Sequence, residues 1–136
     1  MILDDLCIYL NGKHSLTDGT NLFAQELPDT PSKAVVVREY AGPPSVETFG
    51  SDLEAEEVYA VQVVCRDTTT PLARTLSHKV HRSLRAIAPT TSMNSGLRYL
   101  AVVPGSMPFP LSLDDDQRVT YVCNYTITRD APVTIT

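Results

Sequence analysis

Apolar residues recur along this chain with two different periods, and each change of period marks an element boundary. From Val58 to Arg66 the period is two: Tyr59, Val61, Val63 and Cys65 make one continuous apolar face, and Val58, Ala60, Gln62, Val64 and Arg66 make a mixed one. Arg118 to Thr128 repeats the pattern, with Val119, Tyr121, Cys123, Tyr125 and Ile127 alternating with polar residues, as in a sheet buried on one side. Shorter strands are predicted at Asn21–Leu27, Val35–Tyr40 and Gly96–Val103. The turn chemistry of Pro28–Ser32 predicts that the first two of these form a hairpin. Pro104, Pro108 and Pro110 reduce the stretch 104–117 to a loop or, at most, an edge strand.

Two segments switch to the helical period. In the first, Ile2 to about Leu10, Ile2, Leu6 and Tyr9 or Leu10 share a side, Asp4 and Asp5 suit the positive first turn, and Asn11-Gly12 supplies a stop. The second follows the strand 58–66 at once. Thr70 is placed to cap it, Pro71 takes the first helical position, and Leu72, Leu76, Val80, Leu84 and Ile87 form a stripe with Ala73 at its margin. Pro89 ends it. Arg74, His78, His81, Arg82 and Arg85 occupy the opposite side, and no acid falls between Pro71 and Ala88. Two strands joined by a long acidic connection and followed by such a helix predict a small sheet backed by a helix.

Composition narrows the class. A chain of 136 residues fits one domain, 1–136, with a core that needs no metal or disulfide, and its ten prolines and six glycines form no linker. No apolar run approaches the roughly 20 residues of a membrane span, and the start MILDDLCIYL reads as native structure because acids stand where a secretory leader carries bases. Cys7, Cys65 and Cys123 are odd in number and form no CxxC, so buried thiols in a reducing cytoplasm are expected. A formal charge of −5 argues against a general DNA-binding surface.

Candidate chemistry is sparse. His78 and His81 have a spacing that two metal ligands could use, but they lie on the basic face with no carboxylate or thiol nearby, and solvated surface residues are the expectation. Ser, His and Asp fall in no nucleophile elbow, there is no phosphate loop or GxGxxG, and the paired acids Glu56-Glu57 and Asp114–Asp116 read as solvated loop charge. No catalytic residue, metal or cofactor is expected, and the chain is not read as an enzyme. The connection Ala41–Ala55 is longer than most inside a compact domain. It carries Gly42-Pro43-Pro44, then Val46 and Phe49 among Glu47, Asp52 and Glu54, and is either a surface loop or an arm whose Phe49 docks on another subunit. The candidate interface residues are therefore Glu47, Phe49, Asp52, Glu54 and Glu56, the basic Arg74, Arg82 and Arg85, and the acids Asp114, Asp115 and Asp116.

The succession of these features carries a resemblance. An N-terminal helix leads to ELPDTPSKAVVV and then REYAGPPSVETFG. VQVVCRD, PLARTLSHKVHRSLRAI and finally RVTYVCNYTI, with Arg118 and Asn124, complete the order. Over nearly its full length the chain resembles the tail terminator (tail completion, minor capsid) proteins of long-tailed bacteriophages. The resemblance implies an α+β fold, a mixed and mostly antiparallel β-sheet with α-helices packed on one face. It also implies a structural job: a six-membered ring on the head-proximal end of the tail tube that stops tube polymerisation and offers a surface to the head. The implied partners are further copies of the chain, the tail tube protein and a head connector or stopper protein. DNA would pass through without specific binding, no membrane is involved, and the protein would sit in the virion neck after assembly in the bacterial host cytoplasm. The charge pattern is compatible, because a head-to-tail ring needs two different complementary patches and a negative lumen repels phosphates. The alternatives are another neck or head-to-tail joining component, such as a head-completion or tail-tube-like protein, and a small cytoplasmic binding module.

Overall fold

A computed structural model of the chain describes residues 2–40, 46–47, 54–87, 96–111 and 118–130. The elements are α1 (Ile2–Leu10), β1 (Leu22–Ala24), β2 (Ala34–Tyr40), β3 (Val46–Glu47), β4 (Glu54–Asp67), α2 (Thr70–Arg85), β5 (Tyr99–Pro104), β6 (Phe109–Pro110) and β7 (Val119–Asp130). They form an α+β fold around one mixed sheet of order β1-β2-β4-β7-β5, with β3 added against β4 and β6 against β7. Every pairing between named strands is antiparallel except β1 with β2.

The two strands with the strongest alternation sit side by side at the centre. β4 pairs with β7 from Glu56↔Asp130 to Asp67↔Val119, which places Val61 beside Tyr125, Val63 beside Cys123 and Cys65 beside Tyr121. Their apolar phases coincide and become the sheet's contribution to the core. That core joins Ile2, Leu3, Leu6, Cys7 and Leu10 of α1 to Val61, Val63 and Cys65, and to Leu76, Val80, Leu84 and Ile87 from α2 and just beyond it. Each such Leu, Ile or Val side chain contributes about 1.5–3 kcal/mol on leaving water. A smaller cluster of Val36, Val64 and Val122, with Phe23 and Leu27 against it, uses the other phase of the same strands. α1 stops as expected: Asn11 N–H bonds the Cys7 carbonyl at 2.9 Å, and Gly12 follows at φ +82°, where a side chain would be strained.

Several expectations need correction. The strand 21–27 shortens to Leu22–Ala24 and runs parallel to β2, so there is no hairpin between them. Instead the segment 25–33 crosses back over the sheet, held by two buried arginines, Arg66 of β4 and Arg118 just before β7. Arg66 Nη2 donates to the carbonyls of Pro28 (2.6 Å) and Pro31 (2.7 Å), its Nε donates to that of Ser32 (3.2 Å), and Arg118 Nη1 donates to that of Asp29. The connection Ala41–Ala55 is not all loop, because Val46–Glu47 pairs with β4, which already begins at Glu54.

α2 differs in detail from its prediction. Its cap is Thr69, which is extended (φ −133°, ψ 158°) and accepts from Leu72 N–H at 3.3 Å, while Thr70 is already helical. The helix ends at Arg85, and Pro89 lies outside the described residues. Ala73 and Ser77 join Leu76, Val80 and Leu84 on the buried side, which turns the stripe so that Leu72 is 51% exposed. The same rotation buries His81, at 3% exposure, instead of leaving it on the solvated face.

Candidate functional site

The outer side of α2 keeps the charge segregation read from the sequence. Arg74, Lys79, Arg82 and Arg85 are exposed, and among the described residues no acid forms an ion pair with any of them. With Thr70, Pro71, Thr75 and His78, the first three of these cations line an open groove of about 580 Å³. A smaller hollow of about 110 Å³ adjoins it, sharing Thr75 and Lys79 and adding His14, Lys33, Asp67, Leu72 and Leu76. The field there is positive enough to affect His14. Burial first, then Lys79, Lys13 and Lys33, hold its imidazole below the usual histidine range. The one acid of this hollow, Asp67, is occupied locally: its Oδ1 accepts from Thr68 N–H at 2.7 Å. Lys13, Lys33, Arg74, Lys79, Arg82 and Arg85 are six of the chain's eleven Lys and Arg.

The remaining cations have structural partners or neighbours. Arg66, Arg118 and Arg129 are buried, Arg98 Nε pairs with Asp130 Oδ2 at 2.8 Å, and Arg38 lines a small hollow of about 190 Å³ with Glu39, Gln62 and Asn124. Arg129 Nη1 lies 3.2 Å from Asp5 Oδ2, which also accepts from Tyr99 Oη at 2.9 Å. Burial, and then the bond to Asp5, push the Tyr99 phenol well above its usual range and keep it a donor.

The candidate interface residues fall into three groups. Arg74, Arg82 and Arg85 share the outer face of α2. Glu47, Glu54 and Glu56 lie at the far end of the sheet, where Glu47 is the register partner of Glu54 and Glu56 that of Asp130. Phe49, Asp52, Asp114, Asp115 and Asp116 lie outside the described residues. Among the described residues, the basic and acidic sets of one chain do not come together. Glu57, in the same acidic run, turns inward: it accepts from the Tyr59 hydroxyl, and its Oε1 lies 4.0 Å from Arg129 Nη2.

His81 is better placed for packing than for ligation. Its Nδ1 lies 2.7 Å from Tyr125 Oη and 3.8 Å from Cys123 Sγ, and the Cys123 thiol donates to the Ser106 carbonyl at 3.2 Å. Burial, then Arg85 and His78, keep the imidazole below its usual range, and burial pushes the Cys123 thiol up. A protonated thiol beside a neutral imidazole is a packed core pair without an activated nucleophile. Among the described residues no three His, Cys, Asp or Glu side chains converge as a metal site would require.

A family model for the bacteriophage tail terminator protein matches residues 9–131. The chain belongs to that family. It is a family of structural phage proteins, which assigns the chain a role in tail assembly and a place in the virion. No curated protein matches the chain. No described helix is long and apolar enough to cross a membrane. Arg118, just before β7, and Asn124 within it carry the resemblance and have identifiable local roles: Arg118 holds the Asp29 carbonyl, and Asn124 Oδ1 accepts from Gln62 Nε2 at 3.1 Å across the sheet centre.

Proposed function

We propose that the whole chain acts as one domain that caps the head-proximal end of the tail tube. Six copies form a ring that stops addition of tube protein and presents a surface to the head's connector or stopper protein. DNA passes through the opening without specific binding, and assembly takes place in the host cytoplasm. Family membership across residues 9–131 carries this reading. The segregated charge supports it, since a ring of identical subunits needs two unlike patches on each. Both helices backing one face of the sheet would suit a ring subunit, and the single cluster uniting α1, α2 and the central strands favours that arrangement.

The test is tail morphology. Phage lacking this protein should make tails of uncontrolled length, or finished tails that never join heads, and the purified protein should decorate one end of isolated tubes by electron microscopy. Phe49→Ala should reproduce the tail defect while the pure protein melts as the wild type does. Decoration of heads in place of tube ends would move the protein to another neck position. Absence from both structures would sink the reading.

A further inference from the structure

We infer that the groove on α2 is filled by the acidic β3–β4 strand end of a second copy of the chain, so that subunits join groove to strand end. The inference rests on the ring reading above and adds to it which surfaces meet.

Two observations carry it. The first is position along β4. Ala73, in the first turn of α2, packs with Val119 and Tyr121, whose β4 partners are Asp67 and Cys65. Further along, His81 meets Tyr125, whose β4 partner is Val61. α2 therefore runs back over β4 from the level of Asp67 to that of Val61, and its groove lies along that span. Glu54 stands seven positions before Val61, a distance of about 23 Å at the rise of an extended strand. The acidic strand end cannot reach the groove of its own molecule. Two unlike patches at opposite ends of one subunit make a heterologous contact, which closes into a ring when the rotation allows.

The second observation is charge. The groove presents Arg74, Lys79 and Arg82 with no acid on the helix that carries them. The chain carries sixteen acids against eleven Lys and Arg, and six of those bases gather on or beside α2, so the rest of the chain is strongly acidic in composition. A copy of the same chain is thus a complementary partner.

Duplex DNA offers phosphates to the groove, but the net charge of −5 opposes its approach.

The experiment is a charge swap followed by native mass spectrometry across a concentration and salt series, with tube decoration in parallel. Arg74→Glu with Arg82→Glu, and separately Glu54→Lys with Glu56→Lys, should each weaken ring assembly by about tenfold or more, and the four changes in one chain should restore it. Arg74→Gln with Arg82→Gln should weaken assembly less, and serves if a reversal disturbs folding, which circular dichroism reports. Wild-type assembly should also weaken as salt rises. If wild-type rings form and the reversals leave them intact, or the four-site chain assembles no better than the two-site ones, the seating is wrong and the ring stands. A wild type that stays monomeric at every concentration and on tube ends overturns both. Salt-dependent capture of duplex DNA that is lost in Arg74→Glu with Arg82→Glu, beside unchanged rings, would assign the groove to phosphate and overturn the inference.

Discussion

Asp5 and Arg129 lie 124 positions apart in the chain and meet as a buried ion pair at 3.2 Å, with side chains 3% and 5% exposed. They fasten the first helix to the end of the last strand. Arg129 also reaches Tyr59 Oη at 3.3 Å, with its guanidinium carbon 5.0 Å from the centre of that ring, so the pair is connected to the stretch of β4 that leads toward the acidic strand end. The link joins a structural anchor to a proposed docking element.

Removing one partner leaves the other charge buried. Asp5→Ala should therefore lower the unfolding free energy by about 3–5 kcal/mol, the usual cost of breaking such a pair. Asp5→Leu with Arg129→Met should cost less than the sum of the two single changes, because the double change leaves neither of these two charges buried without the other. Urea titrations of the wild type, Asp5→Ala, the two single changes and the double variant check this, and strict additivity would show that the two residues do not act as a pair.

Arg66 is the second buried anchor, spanning three carbonyls of the segment 25–33. Hydrogen bonds to charged groups are worth about 1.5–3 kcal/mol each, and they do not add fully. Arg66→Ala should cost about 3 kcal/mol or more by that measure, and Arg66→Lys part of it, since a point charge cannot replace a planar fork. Amide exchange should accelerate between Gln25 and Lys33 while α2 keeps its protection. Equal acceleration in α2 would mean that the crossing segment has no separate anchor.

Much of this fold was legible because β4 and β7 state their buried phase at every second residue, and because α1 and α2 carry clear stop or cap signals. The errors have local causes. Two short strands joined by a turn-rich segment look like a hairpin, and nothing between Pro28 and Ser32 announces that Arg66 and Arg118, distant in sequence, will fold that segment over the sheet. Leu72 and His81 were misassigned together, because the helical stripe was centred on its largest residues while Ala73 and Ser77 set the actual rotation. The site was half legible. The acid-free run from Pro71 to Ala88 reports the basic face directly, but only the pairing of β3 with β4 shows that Glu47 and Glu54 are register partners. Arg129 could have been found: it continues the phase of Tyr125 and Ile127, and extending the strand by one residue places it in the core.

Cys7, Cys65 and Cys123 are all buried free thiols. Burial pushes Cys7 up to about 11, with Asp18 and Asp4 adding to it, and raises Cys65 further, so little thiolate is present at neutral pH. Ellman titration of the native protein should detect almost no thiol over minutes, and three equivalents after denaturation. A rapidly reacting equivalent in the native state would place one of these cysteines outside the core.

Acid should destabilise the protein through His14 and His81. Both are held below the ordinary histidine value near 6.5, His14 by burial and three lysines, His81 by burial, Arg85 and His78. Well above a pH of about 6.5 they are neutral in both folded and unfolded chains and contribute no pH dependence. As pH falls below that value the unfolded chain binds protons that the native one resists, so stability declines until each folded-state value is passed. The His81 ring has little room to accommodate the charge: its Nε2 is buried without a hydrogen-bond partner among the described residues, and Nδ1 faces the Tyr125 hydroxyl and the Cys123 thiol. His81→Asn should lower stability at neutral pH by emptying packed space, yet flatten its dependence as pH falls below about 6.5. Unfolding midpoints measured across that range in both proteins check the slope independently of the level. A slope unchanged by the substitution would show that His81 takes no part in the acid response.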